Sequence, residues 1–143
     1  MSQTTLQVNE IRHTLRIDDE NNIKVVSVGI QGPPGVGEIA PINFAYGDAT
    51  PALLTTINAG KRVYTVELIL VTAFDGTGAA LSVGPLAAPT ELMITTENNP
   101  GVVASYETNP DLRYASQTAI YLHITPGSGA SAGAGQVRLQ IEP

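Results

Sequence analysis

The sequence predicts an all-β protein, an antiparallel β-sandwich or jelly-roll-like domain preceded by an extended N-terminal β-arm. Three observations lead there. Short runs rich in Val, Ile, Thr and Tyr recur along the chain, punctuated at short intervals by Gly, Pro, Asn and Asp. Two of those runs alternate apolar and polar residues, the signature of a strand with one wet face. And the segment Gly32-Pro33-Pro34-Gly35-Val36-Gly37-Glu38 separates a polar, strand-like beginning from everything that follows. Its prolines fix φ and withhold backbone donors, and its glycines open conformations closed to other residues. The segment is therefore expected to form a hinge or corner, neither continuing a helix nor sitting inside a sheet. The organisation expected is an arm with its Gly/Pro hinge over residues 1–38 and a β-sandwich domain over residues 39–143.

Within the arm, His13–Ile17 and Ile23–Ile30 flank Asp18-Asp19-Glu20-Asn21-Asn22, five charged or turn-favouring residues that read as a hairpin loop. A two-stranded ribbon is only marginally stable alone in water, so the arm is expected to gain order by pairing with something else. Beyond Ala40, Ile42–Tyr46 reads as a strand, and Thr50–Asn58 as a single helical turn or an irregular crossing. Val63–Thr72 carries β-branched or aliphatic residues at nearly every position, which predicts a strand buried on both faces, at a sheet centre or under a subunit contact. Thr90-Glu91-Leu92-Met93 is compatible with a cap and one helical turn inside Pro89–Thr96. Ile120, Leu122 and Ile124 alternate with Tyr121, His123 and Thr125, and Val137, Leu139 and Ile141 alternate with Gln136, Arg138, Gln140 and Glu142. Asp75-Gly76-Thr77-Gly78, Gly84-Pro85, Asn98–Gly101, Asn109–Asp111 and Pro126–Gly135 supply the turns. No internal repeat is found, and a lone Gly-Pro-Pro-Gly is not collagen, which needs Gly at every third position.

Composition narrows the function classes. The chain of 143 residues suits one domain plus an arm, and its 14% charged residues lie well below the roughly 25% of an average soluble domain. That fits either a chain that buries surface against neighbours or a small β domain with Thr, Ser and Gly on its outer faces. The net charge of −6 divides by count into about −2 over residues 1–38 and −4 over 39–143, with Lys and Arg scattered, so no basic patch marks a nucleic-acid partner. The absence of cysteine removes disulfides and thiolate metal sites. Met1-Ser2-Gln3-Thr4-Thr5 lacks the basic start and apolar run of a signal peptide, and no apolar stretch approaches the ~18 residues of a membrane span. Synthesis in a cytoplasm and no membrane partner are expected.

Catalytic signals are weak. His13 and His123 are far apart in sequence, and His123 occupies the outward position of an alternating strand, the ordinary place for a solvent-facing histidine. Gly127-Ser128-Gly129-Ala130-Ser131 misses the Gly-x-Ser-x-Gly elbow by one position. It also lacks the lysine and following helix of a phosphate cradle, so Gly127–Gly135 reads as a flexible turn. Asp18-Asp19-Glu20 offers oxygen ligands without the spaced alternation of a calcium loop and reads as a solvated hairpin tip. The acids Asp75, Glu91, Glu97, Glu107 and Asp111 are strung along turns with no spacing that pairs two for glycosidic chemistry. Tyrosines 46, 64, 106, 114 and 121 without any tryptophan weaken a sugar-stacking reading and fit burial at strand ends or between subunits. No catalytic, cofactor-binding or metal residues are expected, nor an enzyme.

Over residues 73–142 the pieces Ala73-Phe74-Asp75-Gly76, Leu81-Ser82-Val83-Gly84, Glu91-Leu92-Met93, Tyr106 ahead of Asn109-Pro110, Leu112-Arg113-Tyr114, Thr118–Leu122, and Ile124-Thr125-Pro126-Gly127 running through Ala132–Gly135 to Val137 follow one another in a distinctive order. This order resembles a β-sandwich module of tailed-bacteriophage virion structural proteins, found in head-decorating and tail-fibre-associated proteins alike. The resemblance implies a module used repeatedly on phage particles, commonly as a trimer. Fibre proteins generally continue into long shafts or tips, whereas this sequence ends at Pro143 directly after its last strand, which favours a capsid decoration or cement protein. The expected partners are then a homotrimer and the major capsid protein, and the expected location is the capsid surface of the virion. The alternative is a tail-fibre or baseplate attachment module that binds a host surface glycan.

Overall fold

A computed structural model describes residues 4–8, 13–17, 23–27 and 37–143, and the chain divides into two units, Met1–Gly35 and Val36–Pro143. In the first, β1 (Thr4–Val8), β2 (His13–Ile17) and β3 (Ile23–Ser27) form an antiparallel sheet in the order β1-β2-β3. Ile17 pairs with Ile23, so β2 and β3 are the hairpin read from the sequence, and β1 adds a strand that was not. The Asp18–Asn22 loop and residues Gly32–Val36 of the expected hinge lie outside the described residues.

The second unit is all-β. Its strands are β4 (Gly37–Ala45), β5 (Ala52–Ile57), β6 (Arg62–Thr72), β7 (Ala80–Gly84), β8 (Ser105–Thr108), β9 (Leu112–Arg113), β10 (Thr118–Thr125) and β11 (Ala134–Ile141), with one 3-10 turn at Thr95–Glu97. They make two antiparallel sheets, β5-β10-β7 and β4-β11-β6-β8, the latter with β9 also paired to β6. A single apolar core joins them. Val66, Leu68 and Leu70 of β6 with Val137 and Leu139 of β11 come from one sheet, and Leu81 and Val83 of β7 with Ile120, Leu122 and Ile124 of β10 from the other. The architecture is the predicted β-sandwich.

Four local expectations are corrected. Gly37 and Glu38 sit inside the sheet, opposite Ile141 and Gln140 of β11, because a glycine still donates and accepts ladder bonds and only a proline would withhold one. Pro41 then lies in the edge strand where the pairing slips: Val137 faces Ile42 and Leu139 faces Ile39, a bulge that needs no donor from the proline. Thr50–Asn58 holds strand β5 rather than a helical turn. Its pairing with β10 shifts at Ile120/Tyr121, leaving Leu54 as an extra residue, so that the buried positions, Leu54 and Ile57, fall three apart and mimic a helical period.

β6 is central in its sheet, flanked by β11 on one side and β8 and β9 on the other, as expected of a sheet centre, yet within one copy only one of its faces is core. Val66, Leu68 and Leu70 are fully buried, whereas Thr65, Glu67 and Ile69 are half-buried and Val71 is exposed on the opposite face. The aliphatic run therefore reflects β-propensity as well as burial. Finally, Thr90–Met93 forms no helix. Leu92 and Met93 turn back as an irregular bridge onto Val83, with the Leu92 N–H donating to the Val83 carbonyl at 2.9 Å, and the single helical turn falls just beyond, at Thr95–Glu97.

Candidate interaction surface

The small-residue loop between β10 and β11 is held, not loose. Asp75, just beyond β6, accepts from the Ser131 N–H at 2.7 Å, the Ser131 Oγ at 2.6 Å and the Ala132 N–H at 2.9 Å. Those donors hold its carboxyl at about 2, well below the usual carboxylate range, the Ser131 hydroxyl being the largest cause. Thr77 and Ser128 exchange backbone hydrogen bonds alongside, at 3.0 and 2.9 Å. Two glycines complete the fit. A Cβ on Gly133, which sits at φ 144°, would lie 2.5 Å from Cγ of Phe74, and one on Gly135 would lie 2.7 Å from Cζ of Phe44. The two rings stack over these positions with centroids 6.4 Å apart. The Ala73–Gly76 and Pro126–Gly135 segments, 50 residues apart in the chain, thus form one joint, which corrects the reading of the loop as a flexible turn.

That joint also fixes Ser128 and Ser131 as loop residues, with the Ser131 hydroxyl committed to Asp75 and no histidine among its hydrogen-bond partners. His123 lies on the outer side of β10, its ring 6.4 Å from that of Tyr121 and its Nε2 3.3 Å from the Gly84 carbonyl. It is half-buried with no carboxylate as a hydrogen-bond partner. His13 is in β2, and the Asp18–Glu20 cluster lies outside the described residues. Among the described residues no group of three or more His, Asp or Glu side chains is placed to hold a metal ion, and no helix is long and apolar enough to cross a membrane. Tyr114 is the one buried tyrosine among those described; its hydroxyl donates to Glu91 Oε2 at 2.9 Å, and burial, then Glu91, push its pKa well above the usual 10. The Tyr106 hydroxyl donates to the Asn99 carbonyl at 3.0 Å, while Tyr46 is 39% exposed.

The ion pairs are surface ones. Arg62 Nη1 donates to both Asp111 carboxylate oxygens at 2.9 and 3.0 Å, which holds the guanidinium pKa above its usual value. Arg113 Nη2 reaches Glu142 Oε1 at 3.1 Å, and Lys61 Nζ donates to the Pro143 carbonyl. These tie the end of β11 to the start of β6 and to β9. What the unit presents outward is strand backbone and side-chain faces: the outer edges of β4 and β5 have no strand partner among the described residues, and Leu53, Val71 and Val103 are 56, 58 and 60% exposed. Open edges and aliphatic side chains facing water are chemistry for association. Sequence reasoning missed the exposed Val103 and Leu53, because an aliphatic residue reads as core by default.

No protein-family model and no curated protein sequence matches the chain. Among solved structures, a chain of the "Cyanophage Pam1 capsid asymmetric unit" is similar, with a TM-score of 0.51 and 18% identity over 81% of this chain and 94% of that chain. The two share a fold.

Proposed function

We propose that this protein is a non-enzymatic structural component of a phage particle, a cement protein that decorates the capsid and stabilises it across subunit joints. The observation that carries the reading is the fold held in common with nearly the whole of a chain from a cyanophage capsid. The sandwich, as a trimer, covers the joint, and the arm of residues 1–35 attaches it to the major capsid protein or to neighbouring decoration subunits. Attachment uses β-augmentation, in which an extended segment adds to a sheet edge and main-chain hydrogen bonds give direction. A contact of standard size, ~1,600 Å², repeated over a shell adds up to substantial stabilisation of the assembled form. Synthesis takes place in the host cytoplasm, and the site of action is the virion surface.

Deletion of residues 1–31 tests this. The core strands β6, β10 and β11 lie outside the deletion, so the truncated protein should keep its circular dichroism and thermal transition and lose binding to capsids. Particles lacking the protein should release their genome at lower temperature. Particles that match intact ones in thermal release but fail to adsorb to host cells would replace the cement reading with a tail-fibre or baseplate module binding a host glycan.

A further inference from the structure

On the outer face of the five-stranded sheet, register places Arg138 of β11 opposite Glu67 of β6, and Glu67 opposite Glu107 of β8. The row is one cation and two carboxylates, and like charges directly opposite each other destabilise a sheet. Glu67 is provided for: Arg138 Nη1 stands 3.6 Å from its Oε2, and Ser105 Oγ donates to its Oε1 at 2.8 Å. Glu107 is not. Its carboxylate meets only the Asn109 amide at 3.5 Å, with no cation paired to it among the described residues. Arg138 in turn keeps a buried Nε–H with no acceptor. The row thus has a carboxylate without a cation on β8 and, on β11, a partly exposed guanidinium whose reach to Glu67 is a long 3.6 Å.

Next to this row the face turns apolar. Ile69 and Val71 point outward from β6. The Leu70 N–H bond to the Ala104 carbonyl, 2.9 Å, extends the β6–β8 register so that Val103 falls across from Val71. Both valines are more than half exposed, and no charged residue stands beside them on the paired strands. We propose that this face docks a second copy of the chain, the β11 flank of one copy against the β8 flank of the next, with Ile69, Val71 and Val103 enclosed and Arg138 bonded to the neighbouring copy's Glu107. Copies that each carry a net charge of −6 repel over most of their surface, and this face offers both an uncharged centre and the two halves of an ion pair. Because the matching halves sit on opposite sides of β6, the contact is head-to-tail, and three such contacts would close the proposed trimer as a ring. The inference rests on the trimer in the proposed function and names the face that forms it.

The test is the mass of the full-length protein by light scattering at micromolar concentration, with circular dichroism to verify folding. Wild type should be a trimer. Val71→Glu and Val103→Glu should be folded monomers, and Thr56→Glu, on the other sheet, should remain trimeric. Glu107→Arg and Arg138→Glu should each weaken assembly about ten- to a hundredfold, the range of a lost charge pair across an interface, and the double variant should recover it. Folded V71E, V103E and E107R trimers would overturn the assignment of this face while leaving the trimer standing. A monomeric wild type would overturn both.

Discussion

Ser131 gives Asp75 two hydrogen bonds, one from its N–H and one from its hydroxyl, across 56 residues of chain. The pairing closes the β6–β7 turn onto the β10–β11 loop, and so links the two sheets at one end of the sandwich. A carboxylate that accepts three donors in this way is stabilised in its charged form.

Acid should undo this joint. The Asp75 carboxyl is lowered from its ordinary 3.8 to about 2, so its contribution to stability is fully present above about pH 4 and is lost as pH falls through about 2. Asp75→Ala should melt below wild type at pH 7, and the gap between the two should close by pH 2. Thermal melts followed by circular dichroism across that range provide the measurement. A gap that stays constant with pH would separate Asp75 from the acid limb.

Alkali should act on Tyr114. Its raised pKa means that the folded state favours the neutral phenol, so this contribution holds below pH 10 and declines as pH rises beyond it. Tyr114→Phe should lose about 1 kcal/mol at pH 7, the typical worth of one hydrogen bond. It should also show a weaker fall in stability than wild type above pH 10, read by denaturant titration at pH 7, 10 and 11.

The close approach of ring and backbone should make Gly135 intolerant of a methyl group. Its added Cβ would collide with the Ile69 carbonyl as well as crowd Phe44, and Gly135→Ala should cost about 1–3 kcal/mol, the range for overpacking. Gly47→Ala has open space around it and should stay within about 0.5 kcal/mol of wild type. Urea midpoints of the two variants measure the difference.

Leu122 and Leu53 lie in adjacent, paired strands and should differ by several kcal/mol in what they contribute. Leu122→Ala empties a fully buried core position and should cost about 2–5 kcal/mol. Leu53→Ala, at 56% exposure, should change folding stability by less than about 0.5 kcal/mol.

These contrasts mark where the sequence was readable. The alternations in β10 and β11 announced both strands and their inward residues, because a regular antiparallel pair keeps a period of two. β5 was misread because its bulge at Leu54 broke that period, and a bulge is set by the partner strand, which no local window contains. In β6 only one face is core within a single copy, because Ile69 and Val71 lie on the outer face; an aliphatic residue there is indistinguishable in sequence from one facing the chain's own core. The turn at Asp75-Gly76 and the glycines at 133 and 135 were visible as separate pieces. Their union was not, since it depends on two rings and one carboxylate brought together from distant strands. The Arg138, Glu67 and Glu107 row is likewise a product of register, invisible until β6 is set between β11 and β8.

The position of β10 and β11 in the chain has a consequence for biogenesis. Each is an interior strand of its sheet, yet each follows all of its partners in sequence: β10 follows β5 and β7, and β11 follows β4 and β6. During synthesis the three-stranded sheet cannot close until residues near Thr125 have left the ribosome, and the five-stranded sheet until residues near Ile141 have. β6 can pair early with β8 and β9, but β4, β5 and β7 must wait for β10 or β11 as unpaired nascent chain. The domain therefore folds late relative to its own synthesis, with the slow kinetics of non-local pairing, and its exposure to off-pathway association peaks just before β11 emerges. Chaperone capacity, more than the rate of translation, should set the yield of native protein.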